Sequence, residues 1–228
     1  MTKPLAIAAG KQLENAAGFV LAGGRSSRMG TDKALVELNG QPLIAHALQI
    51  LQDSELAASI AGARNPDLAR FAPVVSDTES DRGPLAGICA ALASTSAPLA
   101  VFLSVDAPLI PASLIRYMLH HARVTESPIT LASITGFAQT FPVVVHRRAL
   151  PALESSLRSS HTGCFAAFQS AAKALATPLS ILPVERLVQS GHVEHPEALP
   201  GYLWFANINS PADLERIASL QRNMGVVS

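Results

Sequence analysis

The sequence predicts an α/β protein: a single three-layer domain with a mostly parallel central sheet and helices on both of its faces. Three observations predict it. Residues 17–21 and 99–105 are continuously apolar, as strands buried on both faces are. Such runs alternate with segments of helical periodicity, for example Ile44, Ala47, Leu48 and Leu51. The first run passes directly into Gly23 and Gly24, a tight loop at the edge where open α/β sheets bind ligands. A chain of 228 residues can bury a sizeable core without disulfides. At 49% hydrophobic and 15% charged residues it is far from a disordered composition.

Residues 1–16 read as an N-terminal tail, with no apolar run of signal-peptide length. Residues 17–228 form the domain. Strand 17–21 leads, then a short strand at 35–38 with a turn at Asn39-Gly40, then a helix from Pro42. Weaker strands follow at 57–61 and 72–76. Gly83-Pro84 opens a helix with Leu85, Ile88, Cys89 and Leu92 on one face. Residues 83–105 carry no charge, but Ser94, Thr95, Ser96 and Pro98 break them into helix, turn and strand, which excludes a membrane span. Pro111 starts the next helix, with Leu114, Tyr117 and Met118. Two strands are expected at 129–134 and 140–145, helices at 148–157 and 164–174, and a late strand at 203–208. Ser210 caps the last helix, with Pro211 in its first turn and Asp213 at the third position.

Composition narrows function by exclusion. Lys plus Arg and Asp plus Glu are 17 each, so overall charge gives no reason to expect nucleic acid or an acidic membrane as partner. Cys89 and Cys164 form no CxxC, and Cys89 reads as a small buried hydrophobe. His120 and His121 are adjacent and cannot face one metal together, and His192 and His195 lack ligand partners at a known spacing, so no zinc site is assigned. No Gly-x-Ser-x-Gly elbow is present, and covalent catalysis is not indicated.

Chemistry concentrates between Leu21 and Lys33. Gly23, Gly24 and Gly30 let backbone N–H groups turn toward one point, the serines add donors, and Arg25, Arg28 and Lys33 add positive charge. This pattern suits phosphate; its plain alternative is a solvated basic loop. Five residues separate Gly24 from Gly30 and Thr31 follows, so it is not a Walker A loop, and GxGxxG is absent. Asp106 ends the most apolar strand. A carboxylate there would repel phosphates unless a cation such as Mg²⁺ lay between them, although a turn aspartate before Pro108 accounts for it too. Asp77 ends the preceding strand in the same way, with the same alternative. Gly83-Pro84-Leu85-Ala86-Gly87 brings a helix N-terminus beside the edge, to meet a base or ribose or simply to start a helix. Asn207 or Asn209 could add a neutral oxygen to the metal shell, or serve only as turn residues.

These segments, with Leu38-Asn39-Gly40-Gln41-Pro42-Leu43 and Asn207-Ile208-Asn209-Ser210-Pro211, come in an order that resembles the molybdenum cofactor guanylyltransferases, within the nucleotidyltransferases of Rossmann-like fold. The resemblance covers roughly Phe19 to Ile217. Leu21-Ala22-Gly23-Gly24 together with Gly83-Pro84-Leu85-Ala86-Gly87 looks more like the guanylyl branch than the cytidylyl branch, whose first loop usually reads Leu-Ala-Ala-Gly. The resemblance implies a nucleotide-binding half at 17–112 and an acceptor half at 113–228. Leu21, Ala22, Gly23, Gly24, Lys33, Asp77, Gly83, Pro84, Leu85 and Asp106 would bind nucleotide. Lys33, Arg28 and Asp106 would carry catalysis, and Asp106 with Asn209 would hold Mg²⁺. It implies transfer of GMP from GTP to the phosphate of Mo-molybdopterin by a cytoplasmic monomer that serves molybdoenzyme-maturation proteins. Two departures stand out: residues 60–64 lack the asparagine the family often has there, and residues 159–164 lack the arginines common in the acceptor half. The competing readings are a cytidylyltransferase for the same cofactor, a sugar-1-phosphate nucleotidyltransferase, and a nucleotide-dependent cofactor delivery protein without turnover.

Overall fold

Strand β1 (Ala16–Leu21) lies inside the central sheet of the computed structural model, which describes residues 15–23, 32–76, 83–159 and 163–224. A small hairpin, β2 (Glu37–Leu38) and β3 (Gln41–Pro42), follows, then α1 (Leu43–Asp53), β4 (Ala57–Ala61) and β5 (Val74–Val75). Next come α2 (Pro84–Ser94), β6 (Leu99–Ser104), α3 (Ala112–Thr125), β7 (Ile129–Ile134) and β8 (Phe137–His146). The chain continues through α4 (Leu150–Arg158), α5 (Cys164–Ala174), β9 (Ser180–Pro183), α6 (Val184–Gln189), α7 (Gly201–Trp204) and α8 (Pro211–Met224). Among the described residues, seven strands form one sheet in the order β5-β4-β1-β6-β8-β7-β9. Every neighbouring pair is parallel except the two that involve β8, which runs against the rest.

Alternation along the strands splits the core into two layers. Val20, Val101, Leu103 and Val144 face a cluster with residues of α1, α3, α6, α7 and α8. Phe19, Leu21, Phe102 and Val143 face the other, with α2, α4 and α5. There the Phe19 and Phe102 rings stack 5.5 Å apart across β1 and β6. Because both faces are covered, the central strands have no wet side, and that is why they read as unbroken apolar runs. Cys89 is buried in the second layer, as its apolar surroundings in the sequence suggest. Among the described residues, no helix is long and apolar enough to cross a membrane.

Several expected elements are corrected. Leu35 belongs to a 3-10 turn (Lys33–Leu35), and only Glu37–Leu38 of the expected strand pairs, across a turn in which Asn39 and Gly40 both have positive φ. The strand expected at 72–76 shrinks to Val74–Val75. The strand expected at 203–208 does not form. Pro200 starts the short helix α7, and Trp204 drops into the core with its indole N–H bonded to Leu199 O at 2.8 Å. This run is apolar because it covers the sheet, not because it joins it. β9 and α6 lacked a signal. Pro178 precedes β9 and Pro183 is its last residue, and its position at the sheet edge leaves Ile181 exposed.

Candidate active site

The carboxyl ends of β4, β1 and β6 meet at one edge. Ala22 N–H donates to Ala61 O at 3.1 Å, and Val105 N–H to Leu21 O at 3.4 Å, so the chain leaving β1 stays tied to both neighbours. Gly23 is required by contact: a Cβ there would lie 2.7 Å from Gly62 O. Gly87, in the first turns of α2, is less tight: a Cβ on it would be 3.4 Å from both Leu21 Cδ2 and Gly62 N, which brings α2 against the ends of β1 and β4. Gly83 heads α2 at φ +69°, a left-handed conformation in which any side chain is strained. Leu21, Ala22 and Gly23 thus sit at one strand end, and α2, which Gly83, Pro84 and Leu85 open, packs beside it through Leu85 and Gly87. Gly24, Arg28 and Asp77, like Arg25, lie outside the described residues.

Lys33 re-enters this edge. The Asp32 carboxylate accepts from Ala34 N–H at 3.1 Å and sets the 3-10 turn that carries the lysine. The Lys33 ammonium donates to Asp106 Oδ2 at 2.8 Å and to Asn209 Oδ1 at 2.7 Å. The Lys33 and Asp106 side chains are 18% and 20% exposed, screened enough to make their attraction felt yet open to a ligand. Ser104 Oγ donates to the other oxygen, Asp106 Oδ1, at 2.5 Å. The carboxylate is therefore held from both sides.

Asn209 is held by the entry to α8. Ile208 N–H bonds Asp106 O at 2.9 Å, Asn209 N–H bonds Asp213 Oδ2 at 3.1 Å, and Ser210 Oγ donates to the same Asp213 oxygen at 2.8 Å. Asp213 N–H returns a bond to Ser210 Oγ at 3.2 Å, which completes the expected cap. The Ser210 hydroxyl, with Asn209 N–H, holds the Asp213 carboxyl below its ordinary range. Asp106 Oδ2 and Asn209 Oδ1 thus converge on a single point, taken here by the Lys33 ammonium. Asn207 lies instead along a neighbouring cavity of about 330 Å³.

A sequence profile for the MobA-like NTP transferase domain matches residues 18–177. The chain belongs to this family. As a MobA-like transferase it is a nucleotidyltransferase, and the relatives it resembles bear this out. A molybdenum cofactor guanylyltransferase of Vibrio atlanticus is 40% identical over 141 residues, 60% of this chain and 72% of that protein. One from Shewanella amazonensis is 31% identical over 207 residues, 87% of this chain and 93% of that protein. Among solved structures, the molybdopterin-guanine dinucleotide biosynthesis protein A of Archaeoglobus fulgidus superposes with a TM-score of 0.72 at 20% identity, covering 91% of this chain and 99% of that one. A CMP:2-keto-3-deoxy-manno-octonic acid synthetase superposes at 0.65 with 14% identity, covering 92% and 99%. At these identities the two structures speak for the fold alone.

Two functional features of this MobA-like transferase escaped sequence reasoning. Ser104 sits inside an apolar strand, where nothing marks it as the hydroxyl that orients Asp106. The contact of Lys33 with Asn209 joins residues 176 positions apart, beyond any local pattern.

Proposed function

We propose that this transferase moves GMP from GTP to the phosphate of Mo-molybdopterin, forming molybdopterin guanine dinucleotide and pyrophosphate. The reaction follows the names its relatives carry. The observation that carries the site assignment is the meeting of Lys33 with Asp106 at 2.8 Å, 73 residues apart, at the ligand-binding edge of the sheet.

An oxygen of the acceptor phosphate attacks the α-phosphorus of GTP. The bond from that phosphorus to the β-bridging oxygen breaks, and its electron pair leaves with pyrophosphate. The attacking phosphate is already an anion, so no general base is needed. The obstacle is repulsion between anions, and the remainder is in-line positioning. Asp106 Oδ2 and Asn209 Oδ1 fit a hard divalent cation, because an anionic and a neutral oxygen already point at one cation-sized position. Mg²⁺ held by them would supply charge neutralisation at the α-phosphate and the leaving group. Ser104 keeps the Asp106 carboxylate turned toward that position. Lys33 offers its ammonium to the phosphates, and Arg28 adds a second positive charge from the same loop. The backbone around Leu21, Ala22, Gly23 and Gly24, with the start of α2 at Gly83, Pro84 and Leu85, and with Asp77, receives the nucleotide. In this reading residues 17–112 serve the nucleotide and 113–228 the acceptor. The protein works as a cytoplasmic monomer that passes its product to molybdoenzyme-maturation proteins.

The test is incubation of the purified chain with Mg²⁺, molybdopterin and each of GTP, CTP, ATP and UTP. Product mass and pyrophosphate release are followed. GTP is expected to give the guanine dinucleotide and one pyrophosphate per turnover. Preference for CTP would move the chain to the cytidylyl branch, and GTP binding without pyrophosphate would make it a delivery protein.

A further inference from the structure

The ladder between β6 and β8 stops short. Pairing runs from Leu99 opposite His146 to Phe102 opposite Val143 and, among the described residues, goes no further. The next β8 residue is Pro142, which has no N–H to donate. On its other side, β8 pairs with β7 through Leu131 opposite Val143 and then Ala132 opposite Gln139. Thr140, Phe141 and Pro142 therefore form a bulge with no partner on β7. β8 parts from the end of β6, and the gap is the cavity of about 330 Å³ lined by Ser104, Asp106, Gln139, Thr140, Phe141 and Phe205.

This gap has the walls of a slot for a flat ring. Phe141 is half-buried and rests on the core layer under α2, α4 and α5, whereas Phe205 rests on the opposite layer. Two aromatic side chains thus reach one cavity from the two faces of the sheet. Gln139 and Thr140 bring an amide and a hydroxyl to the same lining. That pairing of apolar surface with a few polar groups suits a fused nitrogen heterocycle, whose faces are apolar and whose edge donates and accepts. The sheet order places β6 between β1 and β8. Asp106, just beyond β6, therefore has the chain that leaves β1 at Ala22 and Gly23 on one side and the gap on its β8 side. Two reactants so placed would meet beside the carboxylate, which brings them close enough for transfer.

We infer that the β6–β8 gap receives the fused heterocycle of the acceptor, and that Phe141 and Phe205 determine which acceptor is taken. This rests on the transfer reaction proposed above, in which the acceptor carries a pterin.

The test separates the two. The fluorescence of 6-hydroxymethylpterin is titrated with the full chain in the absence of nucleotide. Saturable binding is expected, weakened about threefold to tenfold in Phe141→Leu and in Phe205→Leu and kept in Phe205→Tyr, which retains the ring. In turnover, the KM for molybdopterin rises by a similar factor in both Leu variants, while the KM for GTP and kcat stay near the unsubstituted values. Gln139→Leu, on a strand-rim side chain that the core does not need, weakens pterin binding as well and serves if a Phe variant fails to fold. The slot is overturned if the unsubstituted protein does not bind the pterin, or if binding and acceptor KM are unchanged in the variants. Guanylyl transfer itself fails differently: the unsubstituted protein then releases no pyrophosphate from GTP and molybdopterin.

Discussion

The two sides of Asp106 are built in different ways. On the β1 side the surface is largely main chain: Ala22 and Gly23 run against Ala61 and Gly62, and glycines hold the spacing. On the β8 side the surface is side chains, Gln139, Thr140, Phe141 and Phe205, exposed because a proline ends the ladder. Phosphates are common to every nucleotide and can be held by backbone groups, which any short residue supplies. An acceptor ring must be told from other rings, and only side chains can do that. On the reading proposed above, the β1 side would hold the nucleotide and the β8 side would select the acceptor.

Substitutions should divide along that line. The largest effect belongs to the shared centre: Asp106→Ala and Lys33→Ala should each lower kcat by on the order of 10² or more while the fold is retained, measured by pyrophosphate release and circular dichroism. Near-normal turnover in both would remove the centre from the comparison altogether. A smaller effect is expected on the main-chain side. Gly23→Ala puts a methyl 2.7 Å from Gly62 O, and overpacking of this kind costs about 1–3 kcal/mol, seen as a lower Tm together with a raised KM for GTP and an unchanged KM for the acceptor. An acceptor KM that moves instead would show that the two sides are not separate.

The smallest effect is one of pH. Burial holds the His195 imidazole, beside the Trp204 ring, below its ordinary 6.5, against a bond with the Leu109 backbone that raises it. The unfolded chain then takes up a proton that the folded chain resists, so stability is intact above about pH 6.5 and falls as pH drops below it. His195→Asn should flatten part of the loss in Tm between pH 7.5 and 5.5. His121 and His146 are also lowered by burial, so a slope in the same direction remains. A variant that loses Tm as steeply as the unsubstituted chain would show that His195 does not contribute to it.

The same contrast explains what could be read without coordinates. β1, β6 and the helices starting near Pro42, Pro84, Pro111 and Pro211 announce themselves, because burial on two faces and helix starts leave local marks. Leu21 to Lys33 set glycines, serines and cations in consecutive residues, a pattern local enough to read, and Asp106 stood alone at a strand end. The β8 side left no such trace. Phe141 and Phe205 are 64 positions apart and look like core residues, and nothing before the register of β8 is known says that Pro142 opens a gap. The apolar run at 203–208 misled for a related reason: covering a sheet and joining one call for the same residue types, and the outcome turns on whether hydrogen-bonding room remains at the edge.

The bond from Lys33 to Asn209 has a consequence for synthesis of the protein. Lys33 is translated long before Asn209, so their contact cannot form until the chain has been made as far as the start of α8. A protein cut short before Asn209 would lack that amide and, with α8, the buried Ile217, and on the function proposed above it is expected to lose transfer activity.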